Sequence, residues 1–236
     1  MYGWRGRLGL IVPSSNTTNE PEFRAHLPDG VSLHAARMRL ESVDADALSA
    51  MADEAERCGS LLATADVDAV AYGCTTGSLV HGPGYDREIE DRVSAAADAP
   101  AVATAASVVR ALEHLGVDRV AVTTPYVDDL VAREETFLED AGFDVVAIEG
   151  LGIEANTDIG REPPESVYRR ARELPTDEAD AVFVSCTNYR TVEVLQTLER
   201  DLGLPVVSSN AATLWDALRT LGVDGRDVGL GRLFEW

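Results

Sequence analysis

Residues 68–75 read DAVAYGCT, and residues 180–187 read DAVFVSCT. A second pair of segments repeats at the same spacing: residues 7–13 read RLGLIVP, and residues 119–125 read RVAVTTP. Each later segment follows its earlier partner by 112 residues. Apolar runs that recur at one constant offset predict two homologous halves.

Short apolar runs alternate with longer segments of helical period along the whole chain. This alternation is typical of an α/β fold, in which helices connect the buried strands of a parallel sheet. The predicted strands cover residues 8–12, 69–72, 120–123, 145–148, 181–184 and 206–208. The predicted helices cover residues 44–64, 103–115, 128–141, 165–173, 189–202 and 211–221. We expect one half to hold residues 1–107 plus 213–236, and the other to hold residues 108–212.

The charge of the chain excludes several classes of partner. There are 41 acidic and 20 basic residues, which gives a net charge of −21, and every basic residue is arginine. A uniformly acidic surface repels nucleic acid and anionic membranes, so we expect neither as a partner. No apolar stretch has the length of a membrane span, and the first apolar run stops at Pro13, so we expect a cytoplasmic protein. Acidic residues spread through folded segments are typical of a halophilic protein. The sequence does not decide whether the protein forms a homo-oligomer.

The motifs of common cofactor enzymes are missing from the sequence. Without lysine there is no phosphate-binding P-loop and no Schiff base to pyridoxal phosphate. No G-x-G-x-x-G follows the first strand, and there is neither a G-x-S-x-G nucleophile motif nor a C-x-x-C pair. We therefore expect chemistry without a cofactor or a metal, carried out by thiols.

Two cysteines occupy equivalent positions in the repeat. Residues just after a parallel strand face the ligand crevice, so Cys74 and Cys186 should meet across one cleft. We expect each thiol at a helix N-terminus, where the macrodipole and free N–H groups lower its pKa. A lone buried cysteine is usually a small apolar core residue, and Cys58, which has no counterpart in the repeat, is interpreted in this way. The recurrence of the other two favours a catalytic pair.

Hydroxyl and amide residues follow both cysteines in the sequence, and others follow the first predicted strand. They can cap helices, or they can bind a small carboxylate substrate together with free backbone N–H groups. These candidate binding residues are Ser14, Asn16, Thr75, Thr76, Thr187 and Asn188. Tyr126, just after a predicted strand, is either a hydrogen-bond donor over the crevice or a packed aromatic residue. Arg190 is either a surface residue or a ligand contact.

Several motifs in a fixed order resemble one known group of enzymes. They are residues 12–18 (VPSSNTT), 72–78 (YGCTTGS), 123–129 (TTPYVDD), 152–156 (GIEAN), 185–188 (SCTN) and 204–210 (LPVVSSN). Together they resemble the aspartate/glutamate racemase superfamily, and within it the branch of maleate cis-trans isomerases and arylmalonate decarboxylases. The resemblance covers nearly the whole chain.

The resemblance implies two pseudo-symmetric halves with flavodoxin-like or Rossmann-like parallel sheets and an active site in the cleft between them. It also implies that no metal or cofactor takes part. By analogy, Cys74 is the nucleophile and Cys186 its acid/base partner. Asn16, Tyr126 and Asn156 then correspond to the residues that hold the substrate carboxylates.

The cysteine pair favours one activity within this branch. The decarboxylases that resemble this chain carry glycine at the position of Cys74, so two cysteines indicate an isomerase. We expect cis-trans isomerisation of maleate or a related enedioate through covalent addition of Cys74. A two-base racemase or epimerase of the aspartate/glutamate type needs the same pair and stays an alternative. A decarboxylase and a non-catalytic carboxylate-binding module are the remaining alternatives.

Overall fold

A computed structural model of the protein describes residues 2–40 and 45–235. Within these residues the strands form two sheets of four parallel strands. The first sheet holds β1 (Gly6–Pro13), β2 (Val31–Met38), β3 (Ala69–Tyr72) and β4 (Ala101–Ala103). The second holds β5 (Arg119–Thr124), β6 (Asp144–Gly150), β7 (Ala181–Val184) and β8 (Val206–Ser208). The strand orders, β2-β1-β3-β4 and β6-β5-β7-β8, are equivalent, which confirms the predicted α/β class with two pseudo-symmetric halves.

The inner strands β3 and β7 are buried along their whole length. They read AVAY and AVFV, and none of their residues is more than 1% exposed. Both faces of such strands are covered, so every side chain must be apolar. The outer strands β2 and β6 contain partly exposed residues, as expected at a sheet edge.

Helices make the crossovers between strands. In the described part of the chain they are α1 (Asn19–His26), α2 (Ala45–Ala63), α3 (Thr75–Leu79), α4 (Tyr85–Ala97), α5 (Thr104–His114), α6 (Asp128–Asp140), α7 (Asn156–Ile159), α8 (Pro164–Glu173), α9 (Leu195–Leu202) and α10 (Ser209–Thr220). The predicted helices that become α2, α5, α6, α8 and α10 are confirmed to within two residues at their described ends. Position 44, where the first of them was predicted to begin, lies outside the described residues.

The helix predicted over residues 189–202 is wrong in its first part. No helix covers residues 187–194, and α9 begins only at Leu195. The N–H groups of Thr191 and Val192 donate to the carboxylate of Glu22, a residue far away in the sequence. Those bonds satisfy the N–H groups that a helix would otherwise use, and a helical period cannot reveal such a distant partner.

Strands β2 and β4 and helices α1 and α4 were not among the predicted elements. Strand β2 contains His34 and Arg37 and is partly exposed, so it lacks the continuous apolar run of an inner strand. Helix α1 contains Pro21 and little apolar surface. The apolar pattern therefore missed both edge strands of the first sheet, although it detected β6 and β8 at the edges of the second.

Helices α5 and α10 join the two halves. Helix α5 follows the first sheet and contacts β8, whereas α10 follows the second sheet and contacts β3 and β4. The Thr213 hydroxyl donates to the Thr104 hydroxyl at 3.0 Å between these helices. The predicted domain boundaries, after residue 107 and after residue 212, fall inside α5 and α10. That division of the chain stays a prediction.

None of the helices in the described ranges combines the length and the apolar character that crossing a bilayer requires. Among the described residues, no cluster of three or more His, Cys, Asp or Glu side chains could hold a metal ion. The three cysteines are free thiols, and all three are buried.

Candidate active site

Cys74 lies where β3 ends and α3 begins. It is the N-cap residue of α3, and its Sγ accepts a hydrogen bond from the Gly77 N–H at 3.3 Å. The Thr76 hydroxyl lies 3.9 Å from the same sulfur. Only glycine fits at position 77, because a Cβ there would lie 2.9 Å from the sulfur of Cys74. The start of this short helix thus directs an N–H group and a hydroxyl at the thiol.

Cys186 follows β7 in a different local structure. Its φ is +90°, a left-handed conformation that costs a residue with a side chain about 1–3 kcal/mol. Its Sγ accepts a hydrogen bond from the Asn188 N–H at 3.4 Å. The expectation that both thiols lie at helix N-termini is wrong for Cys186, because the chain turns into the loop of residues 187–194.

Three hydrogen bonds connect the two cysteine loops, which are residues 73–76 around Cys74 and residues 185–188 around Cys186. The Ser209 hydroxyl accepts from the Cys186 N–H at 3.0 Å and from the Thr75 hydroxyl at 2.9 Å. The Thr187 hydroxyl donates to the Gly73 carbonyl at 3.1 Å. Both thiols are buried, each residue being 5% exposed. The fold therefore brings the two cysteines to one enclosed junction between the halves.

Burial controls the acidity of both thiols. It raises the pKa of Cys74 to about 11, and the hydrogen bonds from Gly77 and Thr76 oppose that rise only in part. It raises the pKa of Cys186 to about 12. The expected lowering of both values is wrong, because removing water from a thiolate outweighs the local donors. Both thiols therefore keep their protons at neutral pH.

Tyr126 lies against the second thiol. It is 2% exposed, and its hydroxyl forms a hydrogen bond with Cys186 that lowers the pKa of that thiol. Burial, followed by the neighbouring Cys186, raises the pKa of Tyr126 well above its usual value. The phenol therefore stays protonated and acts as a hydrogen-bond donor, one of the two roles considered for it.

Asn16 connects the first half to the second. Its Nδ2 donates to the Thr187 hydroxyl at 3.1 Å. Its Oδ1 accepts from the N–H groups of Thr18 at 3.0 Å and Asn19 at 2.9 Å, which satisfies donors at the start of α1. The helix-capping role and the position beside the cysteine loops thus belong to the same side chain.

Asn156 and Asn188 form the other side of the junction. Asn188 Nδ2 donates to the carbonyl of Asn156 at 2.6 Å, and its Oδ1 accepts from the Thr17 N–H at 2.8 Å. Asn156 Nδ2 donates to the Ser15 hydroxyl at 2.8 Å. Amide groups from both halves therefore meet next to the thiols.

Two of the predicted candidates have contacts that lead away from the thiols. Ser14 is exposed, and its hydroxyl accepts from the N–H of Leu40 at 3.1 Å, beyond the end of β2. Arg190 forms an ion pair with Glu193 at 2.7 Å, and its side chain is 42% exposed. The surface interpretation of Arg190 fits these contacts.

Sequence reasoning missed four buried residues around the junction: Ser209, Asn210, Glu22 and Glu134. Ser209 and Asn210 lie within the motif LPVVSSN at residues 204–210, which gave a signal but no assigned role. Glu22 is 8% exposed, and burial raises its pKa to about 7 against the hydrogen bonds that it accepts. An acidic residue in the first turns of a polar helix reads as a surface residue, so no local signal could have identified it.

Glu134, on α6, is a buried acid directly behind the Cys186 loop. It is 1% exposed, and its Oε1 accepts a hydrogen bond from the hydroxyl of Ser185. Its Oε2 meets no partner with the geometry of a full hydrogen bond among the described residues, although the nearby Thr124 hydroxyl also acts to lower its pKa. Burial raises the pKa of Glu134 to about 7, so the folded protein favours the neutral acid below about pH 7.

We expect the free energy of unfolding of Glu134→Gln, relative to that of the wild type, to increase as the pH rises. Between the ordinary pKa of 4.5 and the raised value of about 7, the folded wild type holds a proton that the unfolded chain has released. Wild-type stability therefore falls with pH across this window. The variant avoids this loss, so its free energy of unfolding relative to the wild type should rise by about 2–3 kcal/mol between about pH 5 and about pH 8.5.

Urea unfolding of both proteins in about 2 M KCl measures this difference. Glu139→Gln, an exposed position on the same helix, is the matched control for loss of one carboxylate. A difference between Glu134→Gln and the wild type that does not change with pH would contradict a buried, neutral acid at this position.

Fold and site together define a class: an α/β protein of two similar parallel-sheet halves with a pair of buried cysteines where the halves meet. The arylmalonate decarboxylase family model matches residues 8–234. The chain belongs to this family. The branch of maleate isomerases and arylmalonate decarboxylases that the sequence motifs resemble is thereby confirmed.

Individual relatives are similar over almost the whole chain. The maleate isomerase of Nocardia farcinica is 34% identical over 239 residues, which cover 97% of this chain and 95% of the relative. The crystal structure of the maleate isomerase Iso from Pseudomonas putida S16 has a TM-score of 0.92 at 28% identity, covering 97% of this chain and 98% of that one. The structure of a Nocardia farcinica maleate cis-trans isomerase mutant with a covalently bound succinylcysteine intermediate has a TM-score of 0.90 at 32% identity. It covers 97% of this chain and 98% of that one.

Proposed function

We propose that this protein is a cofactor-independent cis-trans isomerase that acts on maleate or a related enedioate through covalent addition of Cys74. The proposal rests on one observation: Cys74 and Cys186 are buried on two loops that three hydrogen bonds tie together. A related maleate isomerase holds a succinylcysteine, which is the adduct expected when a cysteine adds to maleate. We ascribe the same chemistry to this chain.

Addition removes the double bond that prevents rotation. The Cys74 thiolate forms a C–S bond to one alkene carbon, and the π electrons move toward the carboxylate on the other carbon. Cys186 donates its proton to that second carbon. The products of this step are a succinyl thioether on Cys74 and a thiolate on Cys186.

Rotation about the new single bond is followed by elimination. The Cys186 thiolate removes a proton from the second carbon, the double bond re-forms as the trans isomer, and the C–S bond breaks. Cys74 leaves as a thiolate, so the pair ends with the one proton with which it began. The raised pKa values mean that both thiols are protonated at neutral pH, so Cys74 must first release its proton to water. The cycle then begins with one proton, held by Cys186.

The polar groups at the junction are assigned to the substrate carboxylates. We assign Asn16, Tyr126 and Asn156 to carboxylate binding, supported by the amide and hydroxyl contacts that place them beside the two cysteine loops. N–H groups at the start of α3 stabilise the charge that develops during addition. A binding role for the other predicted residues stays a prediction; they are Ser14, Thr75, Thr76, Thr187 and Asn188.

Proton NMR in D₂O with about 2 M KCl tests this function directly. We expect added maleate to disappear and fumarate to appear in equal amount. Unchanged maleate, together with deuterium at the α-carbon of added aspartate or glutamate, would replace the isomerase with a two-base racemase. In that reaction the same two thiols remove and return an α-proton.

We infer that the protein works in the cytoplasm on a small carboxylate, in high salt. The net charge of −21 repels an anionic substrate over long distances at low salt. Molar salt shortens the screening length to about 3 Å, so that only the donors at the junction matter for binding.

A further inference from the structure

The two cysteine loops are held in different ways. In the first half, α3 follows Cys74 directly, and its own N–H groups stabilise the turn. In the second half, the loop of residues 187–194 separates Cys186 from α9 and contains no helix. Some backbone donors have partners nearby, as Tyr189 has in the Cys186 carbonyl, but the N–H groups of Thr191 and Val192 need partners from elsewhere.

One of those partners is a carboxylate from the opposite half. Glu22, on α1, accepts at Oε1 from the Thr191 N–H at 2.9 Å and from the Val192 N–H at 3.3 Å. Its Oε2 accepts from Asn210 Nδ2 at 2.6 Å. Glu22 is 8% exposed, so these bonds lie almost out of contact with water.

Asn210 connects the Glu22 carboxylate to the beginning of the loop through hydrogen bonds. Its Nδ2 donates to Glu22 and also to the carbonyl of Thr187 at 3.1 Å. Thr187 is the residue immediately after Cys186. Glu22 therefore holds the loop at two places, directly at Thr191 and Val192 and through Asn210 at Thr187.

We propose that Glu22 is a positioning residue for Cys186, which it holds in place from the opposite half through the loop of residues 187–194. Three N–H groups point at the carboxylate, and only a group that accepts at both oxygens can satisfy them all. The left-handed backbone at Cys186 supplies a reason for such an anchor, because a strained residue persists only where its surroundings hold it. The effect on turnover rests on the proposed isomerase function, whereas the effect on Cys186 itself does not.

Glu22→Gln tests this role, with Glu199→Gln as a matched control. Glu199 is also a buried carboxylate that accepts backbone N–H groups, those of Val206 and Arg232, and it lies outside the cysteine loops. Misplacing a reacting group slows the reaction itself, so kcat of Glu22→Gln should fall about 10- to 100-fold while KM changes less than about threefold. Glu199→Gln should lower the melting temperature and leave kcat within about twofold.

Peptide-resolved alkylation with iodoacetamide gives a second measurement that needs no substrate. Release of the loop exposes Cys186, so we expect this cysteine in Glu22→Gln to react at least about fivefold faster than in the wild type. The reactivity of Cys58 should not change, and Glu199→Gln should match the wild type at all three cysteines. If Glu22→Gln does not fold, Asn210→Ala removes the connection to Thr187 and should show the same pattern.

Wild-type kcat and wild-type Cys186 reactivity in Glu22→Gln or Asn210→Ala would overturn the proposal. Equal losses of kcat in Glu22→Gln and Glu199→Gln would also overturn it, because they would indicate a general loss of stability. Failure of the wild type to isomerise maleate would refute the proposed function alone, and the alkylation rates would still decide the role of Glu22.

Discussion

Replacement of Cys74 by serine is expected to abolish the conversion of maleate to fumarate, with kcat reduced by about 10³-fold or more. A serine hydroxyl is a far weaker acid than a thiol and is a poor nucleophile toward an alkene. Its size is close to that of cysteine, and it can still accept the hydrogen bond that the sulfur receives from Gly77. The fold and the binding of maleate should therefore survive.

Initial rates by NMR measure the loss of turnover, and thermal unfolding curves measure whether the fold keeps its stability. Cys58→Ser is the matched control, because Cys58 is also buried but lies in α2, away from the junction. Its loss should affect stability and leave the rate per folded molecule unchanged. Substantial turnover by Cys74→Ser would refute covalent addition at this residue.

Replacement of Cys186 by serine is expected to trap the intermediate. Addition at Cys74 can still proceed, with a proton taken slowly from water, but a serine hydroxyl is too weak a base to remove the proton again. Turnover should fall by about 10³-fold or more, while a succinyl group accumulates on Cys74. The succinylcysteine held by a mutant of a related isomerase is a precedent for this result.

Intact-protein mass spectrometry after incubation with maleate detects this adduct, and peptide mapping locates it. We expect a mass increase of one maleate on Cys74 in Cys186→Ser and none in the double variant Cys74→Ser with Cys186→Ser. Rapid turnover without an adduct would contradict the acid/base role of Cys186. It would leave Cys186 as a binding group only.

The fold could be predicted because its signals are local. The inner strands β3 and β7 are apolar along their whole length, and each is followed by a cysteine at the same place in the repeat. Burial on both faces leaves no other composition for such strands. The same physics explains the omissions, since the partly exposed strand β2 carries no comparable signal.

The sequence determined the two-half α/β organisation, the equivalence of Cys74 and Cys186, and the amide and hydroxyl residues near them. How each thiol is held, and how acidic it is, depends on contacts that form when the chain folds. Cys186 has no helix of its own, and the Thr191 N–H donates instead to Glu22, 169 residues away. Burial raises the pKa of both thiols, although a helix N-terminus alone predicts the opposite. The physical reason is that hydrogen bonds between distant segments and the removal of water depend on which surfaces meet in the folded protein, and no local pattern of residues records that.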